Sequence, residues 1–137
     1  TFWLHRHDAK NIDEIWQLID ETRNVLNRFC FLSLTGEEFH LVHYPKGTHY
    51  DKHIDCLSEL KNRMISVVIY LNESWDKEHG GELKLFLDDE VKLVDPVARR
   101  CVLFKSAVVP HEVLTTNTSR FSLTGWYVHK SEKVCYN

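Results

Sequence analysis

No apolar run in the sequence approaches the roughly 18 residues that a membrane-spanning helix needs, and the first residues carry no signal-peptide pattern. There is no basic excess either: 17 Lys and Arg stand against 20 Asp and Glu, a net charge of −3. That excludes a broad positive field for nucleic acid or anionic lipid. The four cysteines, Cys30, Cys56, Cys101 and Cys135, form no C-x-x-C pair. At this length and spacing neither a disulfide framework nor a structural zinc site is expected, and the thiols read as reduced and partly buried in a cytoplasmic protein. No repeat, low-complexity tract or linker divides the chain. What remains is 137 residues, 43% apolar and 27% charged. This is the composition of one globular domain, residues 1–137, able to bury a core. It starts at Thr1 without Met, and the expectation is a trimmed chain lacking an N-terminal segment.

Residues 11–29 carry the one clear helical period: Ile12, Ile15, Ile19, Thr22, Leu26 and Phe29 recur at threes and fours. Asn11 with Glu14 reads as a capping box at its start. Strand signals follow. Residues 39–44 end at Pro45. Residues 64–71, MISVVIYL, are rich in β-branched side chains, as in a strand buried on both faces. Leu83, Leu85 and Leu87 alternate, as do Val91 and Leu93, with Asp88-Asp89-Glu90 as a hairpin turn between them. Residues 101–104 and 120–128 complete the set, punctuated by Gly80-Gly81, Pro96, Pro110 and the polar run 115–119. One helix and seven or eight short strands imply a mainly β fold, a sandwich or jelly-roll barrel with helical support on one face.

The stretch THYDKHID, residues 48–55, contains two His-x-Asp patterns, His49/Asp51 and His53/Asp55. In an extended chain alternate side chains share a face, so either pair could grip a metal. Nine His and nine Asp in a chain of this length give roughly 0.6 such matches by chance, so the pattern alone decides nothing. Non-haem Fe(II) oxygenases need a further histidine from elsewhere, leaving coordination positions open. His111, after Pro110, can supply it. Arg120 opens the strand RFSLTGWYV, where Ser122, Thr124 and Trp126 share its face. A guanidinium inside a barrel needs a partner. Either an Asp or Glu at the strand mouth or a bound dicarboxylate held in a bidentate clamp would serve.

These residues bring a known family into view. His53-x-Asp55, His111 and Arg120 nine residues later resemble the Fe(II)- and 2-oxoglutarate-dependent dioxygenases. The likeness extends to the prolyl 4-hydroxylase superfamily, especially the oxygen-sensing prolyl hydroxylases and their bacterial relatives. Tyr44-Pro45 with GTHYDKHID, IYLNESWD at 69–76, GGELKLF at 80–86, PHEV at 110–113 and RFSLTGWY at 120–127 carry it, in the family's order.

The resemblance implies a double-stranded β-helix (jelly-roll, cupin-like) fold and favours His53/Asp55 over His49/Asp51. It implies that His53, Asp55 and His111 bind Fe(II) and that Arg120 clamps the distal carboxylate of 2-oxoglutarate. Tyr70 would donate to that carboxylate, Tyr44 would line the iron-proximal side of the cosubstrate, and Thr124 would assist. Trp126, Tyr50 and Arg63 correspond to the substrate mouth. The implied cosubstrates are 2-oxoglutarate and O2, with ascorbate as a candidate accessory. The implied partner is a protein or peptide carrying a target proline. Two rival readings share these residues: the same chemistry on a small molecule or another side chain, and a non-catalytic jelly-roll module that holds metal or carboxylate. His5, His7, His40, His43, His79 and His129 read as surface or satisfied core groups. The segment CLSELKN, residues 56–62, occupies the place of a substrate-gripping loop and departs from the animal enzymes.

Overall fold

A computed structural model of the chain describes residues 1–7, 11–56 and 62–130. Strand β1 (Phe2–Leu4) precedes helix α1 (Asp13–Cys30). Then come β2 (Gly36–Tyr44), β3 (Tyr50–His53), β4 (Arg63–Tyr70), β5 (Leu83–Phe86), β6 (Val91–Val94), β7 (Cys101–Lys105), β8 (His111–Val113) and β9 (Arg120–Val128). A five-stranded sheet runs β1-β2-β9-β4-β7 and a four-stranded sheet runs β3-β8-β5-β6. Every strand pairing is antiparallel. The two sheets form a jelly-roll sandwich rather than a hydrogen-bonded closed barrel.

The larger sheet is the middle layer. On one face Phe39, Ile65, Val67, Leu123 and Tyr127 pack with Trp16 and Ile19 of α1. On the other, Val68 and Tyr70 pack with Leu83, Leu85 and Val113 of the smaller sheet. Burial on both sides is why residues 63–70 read as a continuous β-branched run instead of alternating with polar residues. It also divides β9 by parity. Leu123 and Tyr127 serve the helix side, while Arg120, Ser122, Thr124 and Trp126 line the cavity between the sheets. Gly125 stands where a Cβ would meet the Glu38 carbonyl at 2.3 Å and the Phe39 ring at 2.5 Å, so only glycine lets β2 and its aromatic lie this close. Tyr127 ties sheet to helix by donating its hydroxyl to the Ile19 carbonyl, 2.7 Å away. An ion-pair cluster of Arg6, Asp20, Arg23 and Glu37 joins the segment after β1 to α1 and β2.

The helix differs from its sequence reading in two respects. Its packed face is Ile12, Trp16, Ile19 and Leu26, whereas Ile15 and Phe29 point outward, 36% and 67% exposed. At 100° per residue those two lie progressively round the cylinder from Ile12, and the Trp16 ring takes the space between helix and sheet. The Asn11/Glu14 capping box does not form. The N-cap is Ile12, with no side-chain cap, and Asn11 adopts φ 75°, a left-handed conformation that Asn tolerates. Three strands, β1, β3 and β8, span only 3, 4 and 3 residues and, unlike the comparably short β5 and β6, carry no alternation of apolar residues for periodicity to reveal. Cys30 and Cys101 are exposed rather than partly buried, and no disulfide joins the described cysteines. Residues 57–61 of the CLSELKN segment, and Cys135, lie outside the described residues.

Candidate metal centre

His53 and His111 sit directly opposite each other in the β3–β8 pair, their ring centroids 4.2 Å apart. The register shifts between Tyr50 and His53: three steps along β3 oppose two steps along β8. This bulge puts Tyr50 and His53 on one face despite their odd spacing, a device common beside active sites. It also turns His49 and Asp51 away. They pair with each other at 3.2 Å in solvent, with side chains 57% and 93% exposed. Asp55 follows two residues after His53 and enters the sandwich. Among the described residues, His53, Asp55 and His111 bring one ligand atom each within 4.8 Å of one another.

The tautomers follow from the backbone. Nδ1 of His53 lies 2.8 Å from the Asp51 carbonyl and Nδ1 of His111 lies 3.1 Å from that of Val109. Only an N–H can satisfy a carbonyl, so both Nδ1 atoms carry the proton and both Nε2 lone pairs face inward. Asp55 is oriented in the same way. Its Oδ2 accepts from Ser66 Oγ at 2.6 Å and Trp126 Nε1 at 2.9 Å. Oδ1 is left 3.1 Å from His53 Nε2 and 3.4 Å from His111 Nε2. With both imidazoles neutral, three acceptor atoms converge, a geometry that calls for a cation: a metal ion, or the protons that let Asp55 accept from His53 and His111. Burial alone would raise the Asp55 pKa, but hydrogen bonding to His111, His53 and Ser66 outweighs it and holds the carboxyl well below the usual carboxylate range. The hydrogen bond to Asp55 pushes the pKa of His53 up: a proton is what this trio attracts when no metal is present. Oxygen and imidazole donors in a two-His, one-carboxylate set suit ferrous iron with open positions.

Further down the same cavity, of about 300 Å³, lies Arg120. It is 3% exposed and its Nε donates to the Gly81 carbonyl at 2.7 Å. No carboxylate among the described residues pairs with it. Of the two occupants the sequence left open, the side-chain carboxylate is therefore absent. The guanidinium instead lies 5.0 and 5.2 Å from the Tyr44 and Tyr70 ring centroids, and burial lowers its pKa. The Tyr70 hydroxyl is fully buried with no hydrogen-bond partner of good geometry. Burial pushes its pKa up to about 12, against the opposing influence of Arg120. Burial raises that of Tyr44 as well. A buried cation with no carboxylate partner among the described residues, beside a buried phenol, is a ready site for an anion, and a dicarboxylate reaching from the metal to Arg120 satisfies both.

The remaining predicted residues surround the opening. Thr124 lines the cavity and shares a 3.1 Å hydroxyl contact with Ser122. Tyr50, 51% exposed, packs edge-on against His53 at 4.5 Å. Arg63 stacks over Trp126 at 3.5 Å and reaches Glu38 at 3.3 Å. Trp126 therefore does more than line the mouth, since its N–H orients Asp55. Sequence reasoning missed Ser66, a hydroxyl set between the apolar Ile65 and Val67 of β4, and Ser106, which backs it at 2.8 Å. It also missed Phe104, edge-on to His111 at 4.7 Å. His43 and His129 are satisfied, by Ser119 and the Ser33 carbonyl. His40 is not: it is buried in part with both nitrogens unpartnered, contrary to its reading as a surface or satisfied group.

A jelly-roll sandwich with this trio and a buried arginine defines an iron- and keto-acid-binding class. Residues 39–128 match the family described as the 2OG-Fe(II) oxygenase superfamily, and the chain belongs to it. The hypoxia-inducible factor prolyl hydroxylase of Caenorhabditis elegans is 40% identical over 99 residues, 68% of this chain and 13% of that protein. Prolyl hydroxylase EGLN3 of Mus musculus is 37% identical over 95 residues, 66% of this chain and 39% of that protein. Among solved structures, a Pseudomonas putida prolyl-4-hydroxylase aligns with TM-score 0.89 at 40% identity, over 93% of this chain and 71% of that one. A Trichoplax adhaerens prolyl hydroxylase, solved with a hypoxia-inducible factor oxygen degradation domain peptide fragment, aligns with TM-score 0.82 at 29% identity. It covers 92% of this chain and 60% of that one. The chain thus spans well under half the length of the two curated relatives. No described helix is long and apolar enough to cross a membrane.

Proposed function

We propose that the chain hydroxylates a prolyl residue in a protein or flexible peptide as an Fe(II)- and 2-oxoglutarate-dependent dioxygenase. One observation carries the reading: a converging His53, Asp55 and His111 share a cavity with a buried arginine that has no carboxylate partner among the described residues. Bound Fe(II) supplies the O2 activation no side chain can provide, so that 2-oxoglutarate, O2 and C–H become succinate, CO2 and C–OH. His53, Asp55 and His111 hold the metal through Nε2, Oδ1 and Nε2. Arg120 and the Tyr70 hydroxyl anchor the distal carboxylate of the keto acid, with Tyr44 and Thr124 along its flank. Val42, Val68, Leu83 and Val113 exclude bulk water from the cavity they line. Trp126, Tyr50 and Arg63 orient the target C–H at the opening. The prolyl substrate comes from the names of the relatives and the peptide held by one of them, an inference by analogy. A single domain over 1–137, a cytoplasmic location and ascorbate as an accessory belong to the same proposal.

The test incubates the protein with Fe(II), 2-oxoglutarate, O2 and a host proteome and seeks +16 Da prolyl peptides together with succinate. Oxidation of free small molecules alone would transfer the reading to a small-molecule oxygenase. Keto-acid binding without succinate would leave a non-catalytic module.

A further inference from the structure

His40 is the unexplained polar group of the cavity. It lies on β2, opposite Trp3 of β1 and Thr124 of β9, and lines the same cavity as the metal trio. Both ring nitrogens are buried with no hydrogen-bond partner. Its ring stacks on Trp3 at 4.6 Å and packs against Trp126 at 5.3 Å. The Arg63 Nε, whose guanidinium caps Trp126, is likewise buried and unpaired. Two nitrogen groups left unsatisfied around one indole, at the opening of a substrate cavity, are costly in a structure that gives them nothing. Burial, with Arg63 nearby, lowers the His40 pKa, so the imidazole is neutral, with one N–H to donate.

The missing partner has a definite chemistry. Arg63 can only donate and His40 offers a donor, so the ligand presents acceptors; a peptide main chain supplies carbonyls at regular intervals. The cover is lightly held. Trp3 sits in a three-residue edge strand and is 45% exposed, the kind of element that opens locally at low cost. We propose that His40 is a substrate-binding residue of this site: its imidazole N–H donates to a main-chain carbonyl of the peptide beside Arg63, once Trp3 shifts aside. The inference rests on the prolyl-peptide reading and deepens it.

The experiment compares wild type with His40→Phe, which keeps the stacked ring and deletes both nitrogens, and His40→Gln, which restores a donor. The probe is a synthetic peptide with the sequence recovered at +16 Da but with its proline unhydroxylated, titrated anaerobically onto protein loaded with Fe(II) and 2-oxoglutarate and then turned over with O2 for KM and kcat. His40→Phe weakens peptide affinity about tenfold, places the loss in KM rather than kcat, and melts no lower than wild type without metal. His40→Gln recovers most of the affinity. Unchanged peptide affinity in His40→Phe overturns the inference. So does a melting point several degrees lower, because the nitrogens would then serve an internal partner. A wild type that neither binds nor oxidises any prolyl peptide overturns the underlying reading, and this inference with it. The wild type therefore reports on the function and the variant ratio on His40.

Discussion

His53 and His111 face one another across β3 and β8 with their rings 4.2 Å apart, and the bulge in β3 aims the first of them inward. The bulge does what sequence spacing cannot: it chooses between two His-x-Asp pairs that are equivalent in an ideal strand. The smaller sheet then presents both imidazoles, and the larger sheet presents Ser66 and Trp126, which hold Asp55 between them.

This asymmetry makes the ligand assignment testable. His53→Ala removes one inward lone pair and is expected to lower Fe(II) affinity by at least a hundredfold, as is His111→Ala. His49→Ala removes a solvent-exposed ring and leaves affinity within about threefold. Anaerobic metal titration by calorimetry, with Co(II) as a spectroscopic substitute, measures all three. Loss of binding in His49→Ala would place the site in the turn instead.

Arg120 predicts a different split. Removing a fully desolvated charge that meets a carboxylate costs about 2–5 kcal/mol. Arg120→Ala should therefore weaken 2-oxoglutarate at least about thirtyfold while leaving Fe(II) affinity within a few-fold. Arg120→Lys should not restore the keto acid, because a lysine ammonium lacks the planar fork. Parallel titrations with metal and with 2-oxoglutarate separate these outcomes; equal losses would make Arg120 a structural residue.

Much of this site was legible in the sequence, and what was not has identifiable causes. Strands β4, β5, β6, β7 and β9 carried apolar runs or alternation that placed them, with the turn at residues 88–90 joining β5 to β6, and the face shared by Arg120, Ser122, Thr124 and Trp126 followed from parity. The metal trio needed family resemblance, since a bulge and a cross-strand pair leave no local trace. Ser66 was visible as a hydroxyl among apolar neighbours, but its purpose depends on Asp55 arriving from another element. His40 was unreadable because its significance is an unsatisfied environment, and no sequence period encodes missing partners. The helix face was misjudged by weighting isoleucines over Trp16, although ring size decides what fills the gap to a sheet.

Ser66 yields a prediction from its hydrogen bond to Asp55. Partners that orient a metal-binding group typically contribute 10–100-fold to metal affinity when removed. Ser66→Ala leaves Asp55 Oδ2 with Trp126 as its remaining donor and removes the backing contact to Ser106. The expected result is about a tenfold loss of Fe(II) affinity with the melting point of the metal-free protein little changed. Competition with a colorimetric chelator reads the affinity, and retention of full affinity would show that Trp126 suffices.

Two glycines separate fold from site. At Gly125 an added Cβ collides with β2 backbone and the Phe39 ring, far on the helix side of the sheet. Gly125→Ala should cost about 1–3 kcal/mol of stability, as overpacking does, while the folded fraction keeps its metal and keto-acid affinity. At Gly81, φ is +75° and a Cβ would lie 2.9 Å from Arg120 Cδ, while the Gly81 carbonyl accepts from Arg120 Nε. Gly81→Ala should therefore displace the guanidinium and weaken 2-oxoglutarate as well as destabilise the fold. Urea unfolding beside 2-oxoglutarate titration distinguishes the two. If Gly81→Ala lost stability alone, the turn would be uncoupled from Arg120, and the anchoring of the cosubstrate would depend on β9 and Tyr70 without it.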